Sequence, residues 1–328
     1  MIERLNKVLI IRCGAIGDVL HTSEVFRSIK RAYPDCIIHY LTTEIPAKML
    51  SADKDIDKFI TVNQVTYKNL FQILPKLKNE NYDVIINLQP SFKLRLIALL
   101  AKAKKILNYE KNLDKHAVFN FYETAEKGIK NLSFKNELKI YVPNDIKEMV
   151  KIALPTEKKF IVMTTQAGPV REGKKWRVDR FKKLVLDIIN KYDVAIIFTG
   201  TSADRESLTD FENLHQDIYN MAGRFNILES AAMFSLAEYM IGADTGPIHI
   251  ASATDKPICI GLYGAMAIHR TGLVGKKHHS VKSSKLSCIP CQKRFCKLRN
   301  GEYSPCMDDI SPEDIMKILE QDNILPLK

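Results

Sequence analysis

One pattern constrains this chain more than any other: short, nearly unbroken Val/Ile/Leu runs alternate with longer amphipathic stretches. Lys7-Val8-Leu9-Ile10-Ile11-Arg12 is the first run, Ile37 to Leu41 the second and Asp83 to Leu88 another. Between them, Ser23 to Ala32 carries Val25, Phe26 and Ile29 at helical spacing, and Leu70 to Leu77 is amphipathic. Strands apolar on both faces must be covered on both faces, and strands joined through helices run parallel. The pattern then resets. Lys139 to Val142 ends the first half, Asn144 to Ala153 is helical with Asp145 favouring its N-terminus, and Leu154 to Lys159 is a polar linker containing Pro155. The second series comprises strand Phe160 to Thr164, helix Phe181 to Asn190, strand Val194 to Thr199 and helix Leu228 to Leu236. Strands Tyr239 to Ile241 and Pro257 to Tyr263 follow, with a terminal helix Pro312 to Gln321. A length of 328 residues suits two domains at roughly 100–200 residues each. The expected architecture is α/β, with Rossmann-like domains at 1–153 and 154–328 facing one another.

Although 46% of the residues are hydrophobic, no apolar run approaches the roughly 20 residues that cross a bilayer. Met1 to Asn6 is mixed in charge and the apolar stretch after it is broken by Arg12, unlike a secretory signal, so a cytoplasmic location is expected. The net charge of +11 is uneven: Lys256 to Gly301 holds ten Lys or Arg and no Asp or Glu. Such a run is either a solvated face or a surface attractive to nucleotide, nucleic acid or anionic membrane. Among the cysteines, Cys13, Cys36 and Cys259 lie in or beside apolar runs and read as core. Cys288-x2-Cys291-x4-Cys296-x9-Cys306 is a cluster; in a reducing compartment it suggests structural zinc, with free or oxidisable thiols as the alternative.

Four segments can carry chemistry. The first strand runs into Cys13-Gly14-Ala15-Ile16-Gly17-Asp18, where glycines allow backbone to approach a ligand and Asp18 is either a helix cap or a general base. Asp244-Thr245-Gly246-Pro247-Ile248-His249 follows a strand and opens a helix, an arrangement suited to a diphosphate. The loop from Thr164 to Arg177 combines Gly168 and Gly173 with Arg171, Lys174, Lys175 and Arg177 beside Trp176, enough cation to neutralise phosphate. Gly200 to Glu206 places Asp204 where it either accepts hydrogen bonds from a nucleoside or caps a helix.

Together these segments resemble the family of bacterial lipopolysaccharide heptosyltransferases, glycosyltransferase family 9. The match is carried by Lys7 to Ile10 with Gly17-Asp18-Val19-Leu20-His21-Thr22, by Lys174-Lys175-Trp176, by Gly223-Arg224 before the Leu228 helix, and by Asp244 to Ala251 leading to Lys256-Pro257 and Tyr263-Gly264. The cysteine-rich tail also looks like that of some relatives. The resemblance implies a GT-B fold, with the acceptor on the first domain, the donor on the second and the active site in the cleft between. It implies inverting, metal-independent transfer of heptose from ADP-L-glycero-D-manno-heptose to the lipopolysaccharide inner core, with contact at the inner face of the cytoplasmic membrane. No cofactor serves catalysis. Asp18 then matches the general base and Lys174 a contact to donor phosphate. Thr245, Gly246 and His249 match donor contacts, Asp244 stands at the sugar and Asp204 near the nucleoside; Gly14, Gly17 and His21 belong to the acceptor loop. Two positions depart from the family pattern: Arg177 stands where Pro often follows the Trp, and Phe225 where Thr or Ser is common.

Three other classes remain to be distinguished. A catalytically silent relative would bind glycan or nucleotide without needing Asp18. A nicotinamide oxidoreductase would need a GxGxxG with a downstream acid, which is missing. A nucleic-acid-binding protein with a zinc knuckle at Cys288 to Cys306 would leave two complete βα domains unused, and no nucleic-acid partner is expected.

Overall fold

The computed structural model describes residues 4–165, 174–283, 285–293, 296–298 and 304–328. Gly168, Arg171 and Gly173 of the basic loop lie outside the described residues. The chain divides into two units, Met1–Tyr141 and Val142–Lys328.

The first unit is built on five parallel strands: β1 (Lys7–Ile11), β2 (Ile37–Thr42), β3 (Lys58–Thr61), β4 (Val84–Asn87) and β5 (Lys105–Asn108). They lie in the order β3-β2-β1-β4-β5. Its helices are α1 (Ile16–Leu20), α2 (Ser23–Ala32), α3 (Glu44–Met49), α4 (Tyr67–Lys78), α5 (Phe92–Ala101) and α6 (Ala117–Glu126). β1 is central because it is apolar on both faces: Val8 pairs with Ile38 on one side and Val84 on the other, and Val8 to Ile11 are fully buried. Leu70, Leu74 and Leu77 of α4 and Leu94, Ile97 and Ala98 of α5 share one core cluster with Leu9, Ile11 and Ile85 of the sheet.

The second unit holds six parallel strands: β6 (Phe160–Thr164), β7 (Ala195–Phe198), β8 (Ile218–Asn220), β9 (Tyr239–Ala243), β10 (Ile258–Tyr263) and β11 (His279–Lys282). Their order is β11-β10-β9-β6-β7-β8. The helices are α7 (Asn144–Ala153), α8 (Val178–Lys191), α9 (Arg205–Glu212), α10 (Ile227–Leu236), α11 (Gly246–Ser252), α12 (Ile268–Thr271), α13 (Pro305–Asp308) and α14 (Pro312–Asp322), with a 3₁₀ turn at Ser202–Asp204. Counted from its own first strand, each unit starts in the centre, adds two strands on one side and then crosses to the other. This is the doubly wound order, and ligands collect at the carboxyl ends of the two strands where it reverses. Those strands are β1 and β4 in the first unit, β6 and β9 in the second.

The division falls before α7, whereas the polar segment after α7 was the expected linker. The reason is packing: α7 lies on α10 of the second unit, with Val150 fully buried. A polar stretch containing proline marks a surface loop, but helix contacts decide which body a helix belongs to. The terminal helix appears as expected and packs on α8.

Candidate active site

The chain after β1 turns at Gly14 and enters α1, where Asp18 occupies the first turn. Asp18 is not the cap. The N-cap is Ala15 with no side-chain cap bond, and the Asp18 carboxylate instead meets the Arg12 guanidinium at 2.7 Å. Arg12 is buried; it donates to the Leu88 carbonyl at 2.7 Å and lies over the Phe121 ring. A delocalised cation fixed by a carbonyl and a ring holds a carboxylate in place while leaving it wet: the Asp18 side chain keeps 41% of its exposure. Gly14 faces the end of β4, with the Gln89 amide 3.7 Å from where a Cβ would stand. Gly17 is buried within α1, and the buried His21 ring meets His116 edge-on. Arg12, Gly14 and Asp18 therefore stand together at the reversal point of the first sheet. Arg12 was missed as a site residue; its signal, a lone cation ending an apolar strand, reads equally well as a strand boundary.

At the second reversal point, β9 delivers Asp244 and Thr245 to the start of α11, which has Pro247 in its first turn. Lys174, following β6, places its ammonium on the Asp244 carboxylate at 2.7 Å and also donates to the Asp244 carbonyl. His249, one turn into α11, approaches the other carboxylate oxygen through Nε2 at 2.8 Å. All three are buried. Burial alone would raise the Asp244 pKa; the bonds and charges of His249 and Lys174 outweigh it and hold the carboxyl well below the usual carboxylate range. Tyr263, at the end of β10, is buried beside them, and burial followed by the charge of Asp244 pushes its hydroxyl well above the ordinary tyrosine value. Thr245 is the N-cap of α11, its hydroxyl donating to the Ala243 carbonyl at 3.2 Å, and Gly246 is the first helical residue.

The supports of this site were only partly readable. Trp176 is buried, donates its indole N–H to the Ile310 carbonyl at 2.9 Å and meets Phe181 edge-on, so it anchors the Lys174 loop to the body. Asp204 closes a capping box on the 3₁₀ turn whose N-cap is Thr201: its carboxylate accepts from the Thr201 backbone N–H and hydroxyl, both at 2.7 Å. Gly223 has φ +71°, and a Cβ there would lie 2.6 Å from the Ser202 Cα, so glycine is required by both conformation and space.

Cys13, Cys36 and Cys259 are buried core thiols. Cys288, Cys291, Cys296 and Cys306 all line one cavity; Cys306, the second residue of α13, is buried against Gly264. Burial, then the neighbouring Cys296, Cys291 and Cys288, pushes the Cys306 thiol up to about 11. Among the described residues, no three His, Cys, Asp or Glu side chains already stand in metal-binding geometry.

The sequence model of glycosyltransferase family 9 (heptosyltransferase) matches residues 70–301. The chain belongs to that family. As a family 9 glycosyltransferase it is 24% identical over 283 residues to the lipopolysaccharide core heptosyltransferase OpsX of Haemophilus influenzae, covering 80% of each chain. The E. coli ADP-heptose lipopolysaccharide heptosyltransferase II structure superposes with a TM-score of 0.76 at 18% identity, over 96% of this chain and 98% of that one. E. coli heptosyltransferase WaaC with ADP-2-deoxy-2-fluoro heptose gives 0.70 at 17% identity, over 96% and 99%. The fold of this glycosyltransferase is thus the GT-B type, each half doubly wound.

Proposed function

We propose that this glycosyltransferase transfers heptose from ADP-L-glycero-D-manno-heptose to the inner core of lipopolysaccharide, with inversion and without a metal ion in the chemical step. The single observation that carries it is the buried Lys174–Asp244–His249 network at the reversal point of the second sheet, in a chain of this family. The names of its relatives support the donor and acceptor classes.

In this mechanism Asp18 takes the proton from the acceptor hydroxyl as that oxygen attacks the anomeric carbon. The bond from that carbon to the diphosphate breaks, and ADP leaves with the electron pair. Arg12 orients Asp18. The leaving group gains negative charge, and fixed cations and backbone N–H groups support it without having to reorganise. Lys174 supplies the charge, Asp244 and His249 hold it in position, and the Thr245–Gly246 backbone approaches the phosphates. The glycosyltransferase works in the cytoplasm, at the inner face of the membrane that carries its acceptor. Asp204 serves the fold as a cap.

ADP release from ADP-heptose, measured with truncated lipopolysaccharide and no added divalent cation, tests the assignment. Release that depends on acceptor is expected; its absence with every heptose donor overturns the substrate, and full activity in Asp18→Asn overturns the base and favours a silent binding module.

The four clustered cysteines, Cys288, Cys291, Cys296 and Cys306, would hold one structural zinc ion. The donor chemistry fits: four thiols on one cavity would supply the soft ligands that zinc prefers. Metal analysis of protein purified without chelator should give about one zinc per chain; metal-free protein with these four cysteines as free thiols would exclude the site.

A further inference from the structure

We infer that the outward faces of α4 and α5 form a docking surface for an anionic lipid bilayer. From Lys58 to Asn79 and from Val84 to Tyr109 the chain contains no Asp or Glu. The acids between these stretches are already engaged: Glu80 pairs with Lys7 and Lys58, and Asp83 with Lys104. The two helices pack side by side and bury Leu70, Leu74, Leu77 and Leu94 in the core. That leaves Tyr67, Phe71 and Pro75, four residues apart, along the exposed face of α4, and Phe92, Arg95 and Leu99 along that of α5. Phe92 is 74% exposed and Leu99 63%, and with Tyr67 and Phe71 they bring four large exposed apolar side chains onto two adjacent helices. Tyr67 stacks on Phe71, and the Lys93 ammonium lies over the Tyr67 ring while donating to the Val65 carbonyl, tying the starts of the two helices together. Lys68, Lys76 and Lys78 on α4 and Lys102 at the end of α5 are exposed on the same two helices.

Aromatic rings settle at the level of lipid headgroups, and lysines beside them are drawn to acidic ones. The basic run at 256–301 is the weaker candidate, because Lys256 pairs with Glu238 and Lys285 with Asp309. The inference deepens the membrane location proposed above by giving it a surface, and the two can fail separately because vesicle binding needs no sugar transfer.

The test is co-sedimentation of the full chain with vesicles of phosphatidylcholine alone or with about 30 mol % phosphatidylglycerol. Binding should require the anionic lipid and weaken as salt is raised. Phe71→Ser with Phe92→Ser should lower the partition coefficient roughly tenfold, and Lys68→Glu with Lys76→Glu and Lys78→Glu should abolish binding. All these positions are exposed, so circular dichroism and release of ADP with a soluble truncated acceptor should stay at the parent level. Lys276→Glu with Lys277→Glu in the other basic run should bind vesicles normally. Equal binding to neutral vesicles, loss only in the Lys276/Lys277 variant, or binding of RNA in place of vesicles would overturn the inference.

Discussion

The two sheet reversal points solve opposite problems with the same kind of ion pair. In the first unit a buried guanidinium holds one carboxylate that is still 41% exposed; in the second, a buried carboxylate is held from both sides by Lys174 and His249. A carboxylate in contact with water can exchange a proton with an incoming hydroxyl at little cost in stability. A buried carboxylate with two partners is locked in its ionised form, and its task is to fix the charges around it. Position at the end of a strand is therefore not enough to assign a role; burial and partner count distinguish the two carboxylates.

Asp18→Asn sharpens this contrast most. It should reduce the rate of transfer about a thousandfold while leaving the melting temperature nearly unchanged, as measured by ADP release and thermal unfolding. Asp244→Asn should instead cost about 3–5 kcal/mol of stability, because Lys174 is left buried without its carboxylate, and slow transfer as the Lys174 charge loses its support. The same variant carries a pH signature. The folded Asp244 binds its proton more weakly than the unfolded chain does, so its contribution is complete above the ordinary carboxyl value near about 3.9 and is lost as the pH falls below it. Denaturant titrations should show that acid-side slope in the parent and a shallower one in Asp244→Asn. Arg12→Gln should lower kcat about tenfold with little change in the KM for the donor, as expected of a positioning residue acting through Asp18. The smallest effect belongs to Trp176→Phe, which removes the bond to the Ile310 carbonyl and should cost about 1 kcal/mol. If Asp18→Asn destabilised the protein as much as Asp244→Asn, the two pairs would not differ in kind.

Most of the central architecture was legible in the sequence. The helices Ser23–Ala32 and Asn144–Ala153 and the strand Phe160–Thr164 fall where apolar spacing put them. The strands that periodicity did not reveal are the four edges of the two sheets: Lys58–Thr61, Lys105–Asn108, Ile218–Asn220 and His279–Lys282. An edge strand is short and partly wet, so it need not carry the doubly buried Val/Ile run that marks a central one. The candidate site was legible as residue types but not as partnerships. Lys174 and Asp244 are seventy positions apart, and only the pairing of β6 with β9 brings them together. Asp18 could be named from its place after β1, whereas the Arg12 contact that excludes a capping role depends on a turn geometry that spacing does not express.

The packing of α7 on α10 has a consequence for modular exchange. If donor halves of family 9 enzymes are recombined to alter the sugar that is transferred, a crossover after the proline-containing linker would separate α7 from the body it covers. Such a chimera would expose the apolar surface around Val150 and tend to aggregate, whatever the quality of its donor pocket. A crossover at Val142 keeps the helix with its sheet, so the unit that can be inherited whole is longer than the repeated strand pattern implies.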